Sequence, residues 1–184
     1  MTLLEQQSLF VHALKDPLTK EEAFRKLVSE YKERLYWHIR KLVLDHDDAH
    51  DVVQNTFIKV HLNIDKFREN STLFTWMYRI ATNEALNFIN SKAAKMGLQN
   101  QEWVEAKAEG LTADSYFDGD QAALELQKLV ARLPEKQRIV FNMKYFDDMP
   151  YEMISKVLDT SIGALKASYH HAVKKIKTEL NDRL

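Results

Sequence analysis

Few residues in this chain are spaced for bond-making chemistry. His46 and His50 stand four apart with Asp47, Asp48 and Asp51 beside them, a spacing that on a helix turns two imidazoles toward one metal ion. Neither an HExxH string nor a third ligand accompanies them, and no metal site is expected. His170 and His171 are adjacent, hence about 100° apart on a helix, and cannot chelate in the usual way. The four glycines, Gly97, Gly110, Gly119 and Gly163, compose neither a GxxxxGKS/T loop nor a GxGxxG loop, the strings that bring backbone amides onto phosphates. The absence of cysteine removes disulfide frameworks, Cys-type zinc sites and thiol nucleophiles. Nor can a Ser/His/Asp constellation be assembled. An enzyme is therefore not expected, nor a cofactor, nor a small-molecule substrate.

What remains is spaced for binding. Asp48, Asp51 and Gln54 follow at i, i+3 and i+6 and leave an acidic, hydrogen-bonding stripe that suits a partner rich in Arg or Lys. The same acids could simply favour the positive end of a solvated helix. Residues 67–71, followed by Phe74, Trp76, Arg79 and Asn83, bring aromatic and donor side chains beside one polar loop. Those are the materials for holding an unstacked base, by stacking and by hydrogen bonds to its polar edge. Aromatics at helical spacing also suit a core, so Arg79 and Asn83, four apart on one face, are the stronger candidates for contact. Lys166 and His170 are likewise four apart, and Ala167 lets their helix approach a groove closely; Lys suits guanine acceptors and phosphates.

The elements that must carry these residues read as helices. At 184 residues the chain suits two small cores of ~70 to 90 residues, and 45% hydrophobic with 29% charged residues is an ordinary folded composition. No apolar run approaches the ~18 residues of a membrane span, and the start of the chain lacks the pattern of a secretion signal, so a cytoplasmic protein without membrane insertion is expected. Over 21–44, Phe24, Leu27, Tyr31, Leu35, Ile39 and Leu42 recur at three- and four-residue spacing opposite a charged face, which predicts an amphipathic helix. The pattern repeats over 48–60 and over 71–89, where Ser71 or Thr72 can cap. Residues 1–20 read as a short helix with Leu9, Phe10 and Leu14.

Residues 96–127 hold seven acids and one base, a net of −6, with three of the four glycines, whereas 128–184 carry a net of +4. An acidic tether between two domains is the expectation, with a short helix possible around Trp103. Attraction between tether and tail would fold the chain over its own binding faces. In the second domain a helix is expected over 134–146 with Pro134 at its first position, then a short helix over 150–158 for which Asp147 and Asp148 serve as the start. A third follows over 161–180, burying Leu165, Tyr169, Ala172, Val173, Ile176 and Leu180. Two helices joined by about three residues, the second with small and basic residues on its free face, make a helix-turn-helix; an αα-hairpin with a solvated face has the same spacing.

Two strings, DAHDVVQNTFIKV at 48–60 and FRENSTLFTWMYRIATN at 67–83, together resemble patterns of the extracytoplasmic-function (ECF) group of sigma-70-type sigma factors of bacterial RNA polymerase. Leu133-Pro134, Ile154-Ser155-Lys156-Val157-Leu158 and Gly163-Ala164-Leu165-Lys166 are similar to that group's promoter-reading domain. The resemblance implies an all-α fold of two small helical domains: an extension at 1–20, a region 2-like domain at 21–92, a linker at 93–120 and a region 4-like helix-turn-helix at 121–184. It also implies polymerase binding by Asp48, Asp51 and Gln54. Minus-ten reading and melting would fall to Arg68, Asn70, Ser71, Trp76, Arg79 and Asn83, and minus-35 reading to Lys166, Ala167, His170, His171 and Lys174. Its partners would be core RNA polymerase, promoter DNA and an anti-sigma factor. The chain departs from the pattern at Asp159, where Gly is usual, and at Ser168 and His171, where bases are usual, which predicts weak anchoring on phosphates. A stand-alone operator-binding regulator would explain the tail but not the strings at 48–83, and a helical scaffold that only binds protein stays open if both patches are merely solvated.

Overall fold

The computed structural model describes residues 3–113 and 121–181, and every regular element among them is helical. Helix α2 (Lys20–Val43) buries Leu27, Leu35, Ile39 and Leu42 along one face, as its spacing requires. It ends at Leu44, held left-handed with φ 62° while its amide donates to the Arg40 carbonyl. Helix α3 (His46–Asn63) starts where the Asp45 carboxylate accepts from the Asp48 amide at 3.0 Å. Helix α4 (Leu73–Lys95) starts under Thr72, whose hydroxyl accepts from the Thr75 amide at 3.1 Å; such caps each contribute about 1 kcal/mol. These three helices pack on one another, and α1 (Leu3–Lys15) lies on α2 through the buried Val11 and Leu14.

Part of the stretch that reads as a tether is packed helix. Helix α5 (Asn100–Glu109) opens with a reciprocal capping box between Gln99 and Glu102 and buries Trp103, Val104 and Ala108, with Trp103 edge-on to Phe88 of α4. Asp114, Asp118 and Asp120 lie outside the described residues.

In the second domain, α6 (Gln121–Ala131), α7 (Glu135–Phe141) and α9 (Ile162–Asn181) enclose a small core of Leu129, Val130, Leu133, Phe141, Ala172 and Ile176. Three expectations are corrected here. Pro134 stands outside α7 as its N-cap, with ψ 143°, because the helix begins at Glu135. The helix expected through 146 stops at Phe141 and widens into a π-turn, Asn142–Phe146, closed by Asp147 N–H donating to the Asn142 carbonyl at 3.1 Å. Leu180 is 41% exposed, since it lies beyond the last residues that reach α9's neighbours. Helix α8 (Tyr151–Leu158) and α9 are joined through Asp159 in the left-handed region, φ 50°, and the Ser161 hydroxyl accepts from the Ala164 amide at 3.3 Å.

The two domains share one core. Ile139, Val140, Met143, Met149, Ile154 and Val157 pack into the same cluster as the side chains of α2 to α4, with α8 lying against α4. The acid pair expected to start α8 does something else. No side chain caps α8; the wide turn carries Asp147 onto α2, where its carboxylate accepts from His38 Nδ1 at 2.7 Å and pairs with Lys41. At this point of the seam the acid is on the second domain and the bases are on the first, whereas Arg132 and Glu109, 3.6 Å apart, join a base of the second domain to an acid of the stretch that reads as a tether.

Candidate nucleic-acid and partner interfaces

Helices α2 and α3 leave a groove of about 670 Å³ between them, floored by Phe24, Val28, Val53 and Phe57 and edged by Ile58 and Leu62. Asp51 and Gln54 stand exposed on its rim, with Lys32 across from them. Asp48 is not brought together with them. Six residues of helix offset it by about 120° from Gln54, toward α4 and α5, where it pairs with Lys107 at 3.2 Å and Lys92 at 3.4 Å and is mostly shielded. Lys107 also reaches the Asp45 carboxylate at 2.9 Å. Burial would raise the Asp45 carboxyl, but the Asp48 amide and Lys107 outweigh it and hold it below its ordinary value. Ile58 and Leu62, at 49% and 67% exposed, were missed by sequence reasoning. Their signal is an apolar pair on the solvent side of an otherwise amphipathic α3, where an isolated helix face should be polar.

The second patch is the loop 67–72 and the face of α4 that follows. Phe67 is buried, its ring 5.1 Å from that of the half-buried Trp76, so Trp76 is half support and half open surface. Phe74 belongs to packing: it lies 5.8 Å from Tyr31 and 4.4 Å from Tyr78, with the Arg34 guanidinium 4.2 Å above its ring. Arg68, Asn70 and Asn83 are exposed and Ser71 half-exposed. Arg79 is exposed as well, yet its guanidinium donates to the Lys156 carbonyl of α8. Glu69 sits at φ 55°, a left-handed kink within the loop. Its first carbonyl, on Phe67, accepts a 2.7 Å hydrogen bond from Lys15 of α1, and Lys20 lies 3.8 Å from Asp65. The N-terminal helix therefore braces this loop, a role no local sequence signal announces, because the partners are 52 residues apart.

On α9, Lys166, Ala167, His170, His171 and Lys174 are all exposed. Lys166, Ala167, His170 and Lys174 share a face, with the Lys166 ammonium 5.8 Å from the Tyr151 ring. His171 turns toward Arg132 and Gln137, lining a separate shallow cleft with Lys174 and Lys175. His46 and His50 stack edge to face at 4.5 Å, and His46 Nδ1 hydrogen-bonds the Tyr36 hydroxyl at 2.8 Å. Among the described residues no three potential ligands gather around a common point, and no helix is long and apolar enough to cross a membrane.

Residues 27–95 match the family model of sigma-70 region 2, and residues 123–176 that of sigma-70 region 4. The chain is 31% identical over 173 residues to the ECF RNA polymerase sigma factor SigW of Bacillus subtilis, covering 88% of this chain and 91% of that protein. It is 28% identical over 168 residues to the ECF sigma-E factor of Escherichia coli K12, covering 87% of each. Among solved structures, CnrH in complex with the cytosolic domain of CnrY superimposes with a TM-score of 0.70 at 19% identity, over 96% of this chain and 97% of that one. The sigma factor RpoE bound to the anti-sigma factor NepR, from Bartonella quintana, gives 0.66 at 20% identity, over 86% of this chain and 96% of that one.

Proposed function

The chain belongs to the extracytoplasmic-function group of sigma-70-type sigma factors, and from that membership we propose how its surfaces divide the work. It is an alternative sigma factor: it binds core RNA polymerase and directs promoter-specific initiation. It performs no chemistry of its own and acts in the cytoplasm, lending sequence preference to another machine's catalysis. The region 2-like unit, 21–92, takes polymerase binding and minus-ten melting. The helix-turn-helix unit, 121–184, takes the minus-35 duplex, and 93–120 connects them.

Polymerase docking falls to the groove between α2 and α3, with Asp51 and Gln54 offering acceptors at its rim and Ile58 and Leu62 offering apolar area; Asp48 acts from behind, by holding α5 in place. The groove's mixture of exposed apolar surface and acid suits a basic amphipathic helical partner. An anti-sigma factor would compete for the same surface. Arg68, Asn70, Ser71, Trp76, Arg79 and Asn83 take the minus-ten bases, and Lys166, Ala167, His170 and Lys174 enter the minus-35 groove, with His171 at its margin.

The observation that carries this reading is that Arg79, on the base-reading face, is occupied by the backbone of α8. The described arrangement thus withholds one promoter-reading donor until the domains part, and polymerase, by engaging both, would part them. The test is run-off transcription with purified chain, core polymerase and promoter DNA. Transcript formed only when core and chain are both present is expected. Tight sequence-specific duplex binding by the chain alone, with no effect on core, would overturn the reading in favour of a stand-alone regulator.

A further inference from the structure

Arg34, Trp37 and Lys41 of α2 follow at i, i+3 and i+7 and line one cleft of about 480 Å³. A cation, an indole and a second cation therefore stand in file over about 10 Å of helix. Arg34 is exposed and rests its guanidinium 4.2 Å from the centre of the Phe74 ring. Trp37 is 40% exposed, edge-on to Tyr36 at 5.1 Å, and belongs to neither apolar cluster. Lys41 is drawn toward the second domain, onto the Asp147 carboxylate and to within 5.5 Å of the Phe146 ring.

The second domain covers this file without filling it. Ala123, Gln127, Phe146 and Asp147 supply the far wall of the cleft, yet the indole stays partly open to solvent. A large aromatic left half-bare beside a void is surface that gains from another occupant. The chemistry of the file says which. Cations alternating with an aromatic ring suit a single-stranded nucleic acid, whose bases offer faces to the indole and whose phosphates offer oxygens to Lys and Arg. A duplex presents no free base face, an apolar molecule leaves both cations unmatched, and an acidic protein segment makes no use of the ring. Asp147, the lone carboxylate of the lining, meets Lys41 as a phosphate oxygen would. Arg34 joins the file to the base-reading surface, because the Phe74 ring beneath it lies in the first turn of α4, beside the loop 67–72.

We propose that Arg34, Trp37 and Lys41 form a further single-strand contact in promoter opening: the strand held at the minus-ten patch continues past Phe74 onto α2, with a base on Trp37 and phosphates on Arg34 and Lys41. Closure of the second domain covers this track and sets Asp147 in a phosphate's place, so the closed form and the single strand compete for Lys41. The inference rests on the sigma-factor reading and adds three positioning residues to it.

The test uses the full chain bound to core polymerase. Fork-junction promoter DNA is prepared with a single-stranded non-template tail that stops at the end of the minus-ten element or runs several nucleotides beyond it, and binding is measured at several salt concentrations. The wild type is expected to bind the longer tail at least about fivefold more tightly, as one stacked base allows. Trp37→Ala should remove most of that gain, and Trp37→Phe, which keeps a ring to stack on, should retain it. Arg34→Gln and Lys41→Gln should each lower the salt slope on the longer tail by about 0.7, the share of one single-strand phosphate. Should Trp37→Ala fail to fold, Arg34→Gln, at an exposed position, carries the test. Equal losses on both tails, or no loss on either, overturn the inference, and so does a loss of core binding in the absence of DNA, which assigns the file to polymerase instead. Asn83→Ala, run alongside, separates this from the wider reading. If it weakens both tails while the α2 variants do not, only the α2 track falls; if it too is silent, the minus-ten assignment falls with it.

Discussion

His38 and Asp147, 109 positions apart in sequence, share a 2.7 Å hydrogen bond in which the imidazole is wholly buried and the carboxylate nearly so. His38 Nε2 is in turn 2.9 Å from the Thr82 hydroxyl, and Lys41 completes the pairing from one turn further along α2. One carboxylate from the second domain thus ties to two bases of the first, inside a shared apolar core. Removing one partner of such a pair leaves buried charge uncompensated, a loss of about 3–5 kcal/mol. Because the domains can separate rather than endure it, Asp147→Asn is expected to open the molecule. Small-angle scattering should show a larger radius of gyration for the variant with helicity unchanged; equal radii would mean that the apolar seam alone keeps the chain closed.

The same carboxylate sets a pH dependence. Burial would raise the Asp147 carboxyl, but its hydrogen bond to His38 and the charges of His38 and Lys41 outweigh that and lower it below its ordinary value. A group depressed in the closed form contributes stability that is present above its unperturbed value, about 4, and lost as pH falls through the depressed one. Asp147's contribution to closure should therefore be constant from neutral pH down to about 5 and vanish in stronger acid. Scattering across that range tests this: wild type should expand at the acid end, and Asp147→Asn should lack the part of the transition that this carboxyl carries.

Why the seam was not legible while its helices were is visible in these residues. Caps at Thr72 and Ser161, and the apolar face of α2, are local relationships within four residues, and the chain states them directly. Asp147 beside Asp148 and Pro150 looks like a helix start until His38 is brought to it. His38 lies on the apolar side of α2, three residues after Leu35 and four before Leu42, against Tyr78 and Thr82 of α4, so its burial follows from local spacing whereas the carboxylate that meets it comes from 109 positions away. The groove was half legible for the same reason: Asp51 and Gln54 lie within one turn of each other, but only the position of α5 shows that Asp48 is engaged elsewhere.

That division can be measured. Asp51→Ala and Gln54→Ala should each weaken association with core polymerase several-fold while leaving the melting temperature within a degree or so, because exposed polar substitutions shift stability by only about 0.5 kcal/mol. Asp48→Ala should do the reverse in kind, lowering the melting temperature by loosening α5 once its pairing with Lys107 and Lys92 is gone. Equal losses of binding for all three, with stability unchanged, would restore a single acidic stripe.

Lys15 offers a separate handle on promoter opening. Lys15→Met keeps the aliphatic stem over α1 but removes the donor to the Phe67 carbonyl, so the loop bearing Arg68, Asn70 and Ser71 loses its anchor at one end. Core binding should be unchanged and open-complex formation slower, by up to about tenfold for a bond contributing ~1.5 kcal/mol. Lys15→Arg, which can still donate, should restore most of the rate. If Lys15→Met lowers core binding and opening together, the helix is merely structural.

On α9, Lys166 and His170 make different predictions because only one carries a permanent charge. Lys166→Ala should reduce minus-35 duplex binding by the polymerase-bound protein and lower the salt slope of log K by about one, as follows when a single phosphate is no longer neutralised. If Lys166 instead reads a base edge, the salt slope will change less and the loss will concentrate at one promoter position, at about 1–3 kcal/mol of discrimination. His170→Ala removes a hydrogen-bonding ring rather than an ammonium, and should change the slope less than Lys166→Ala does. Binding measured at several salt concentrations on promoters altered one position at a time resolves these outcomes. Should neither substitution affect any promoter, the exposed face of α9 is not the minus-35 reader and the helix-turn-helix serves only to hold polymerase.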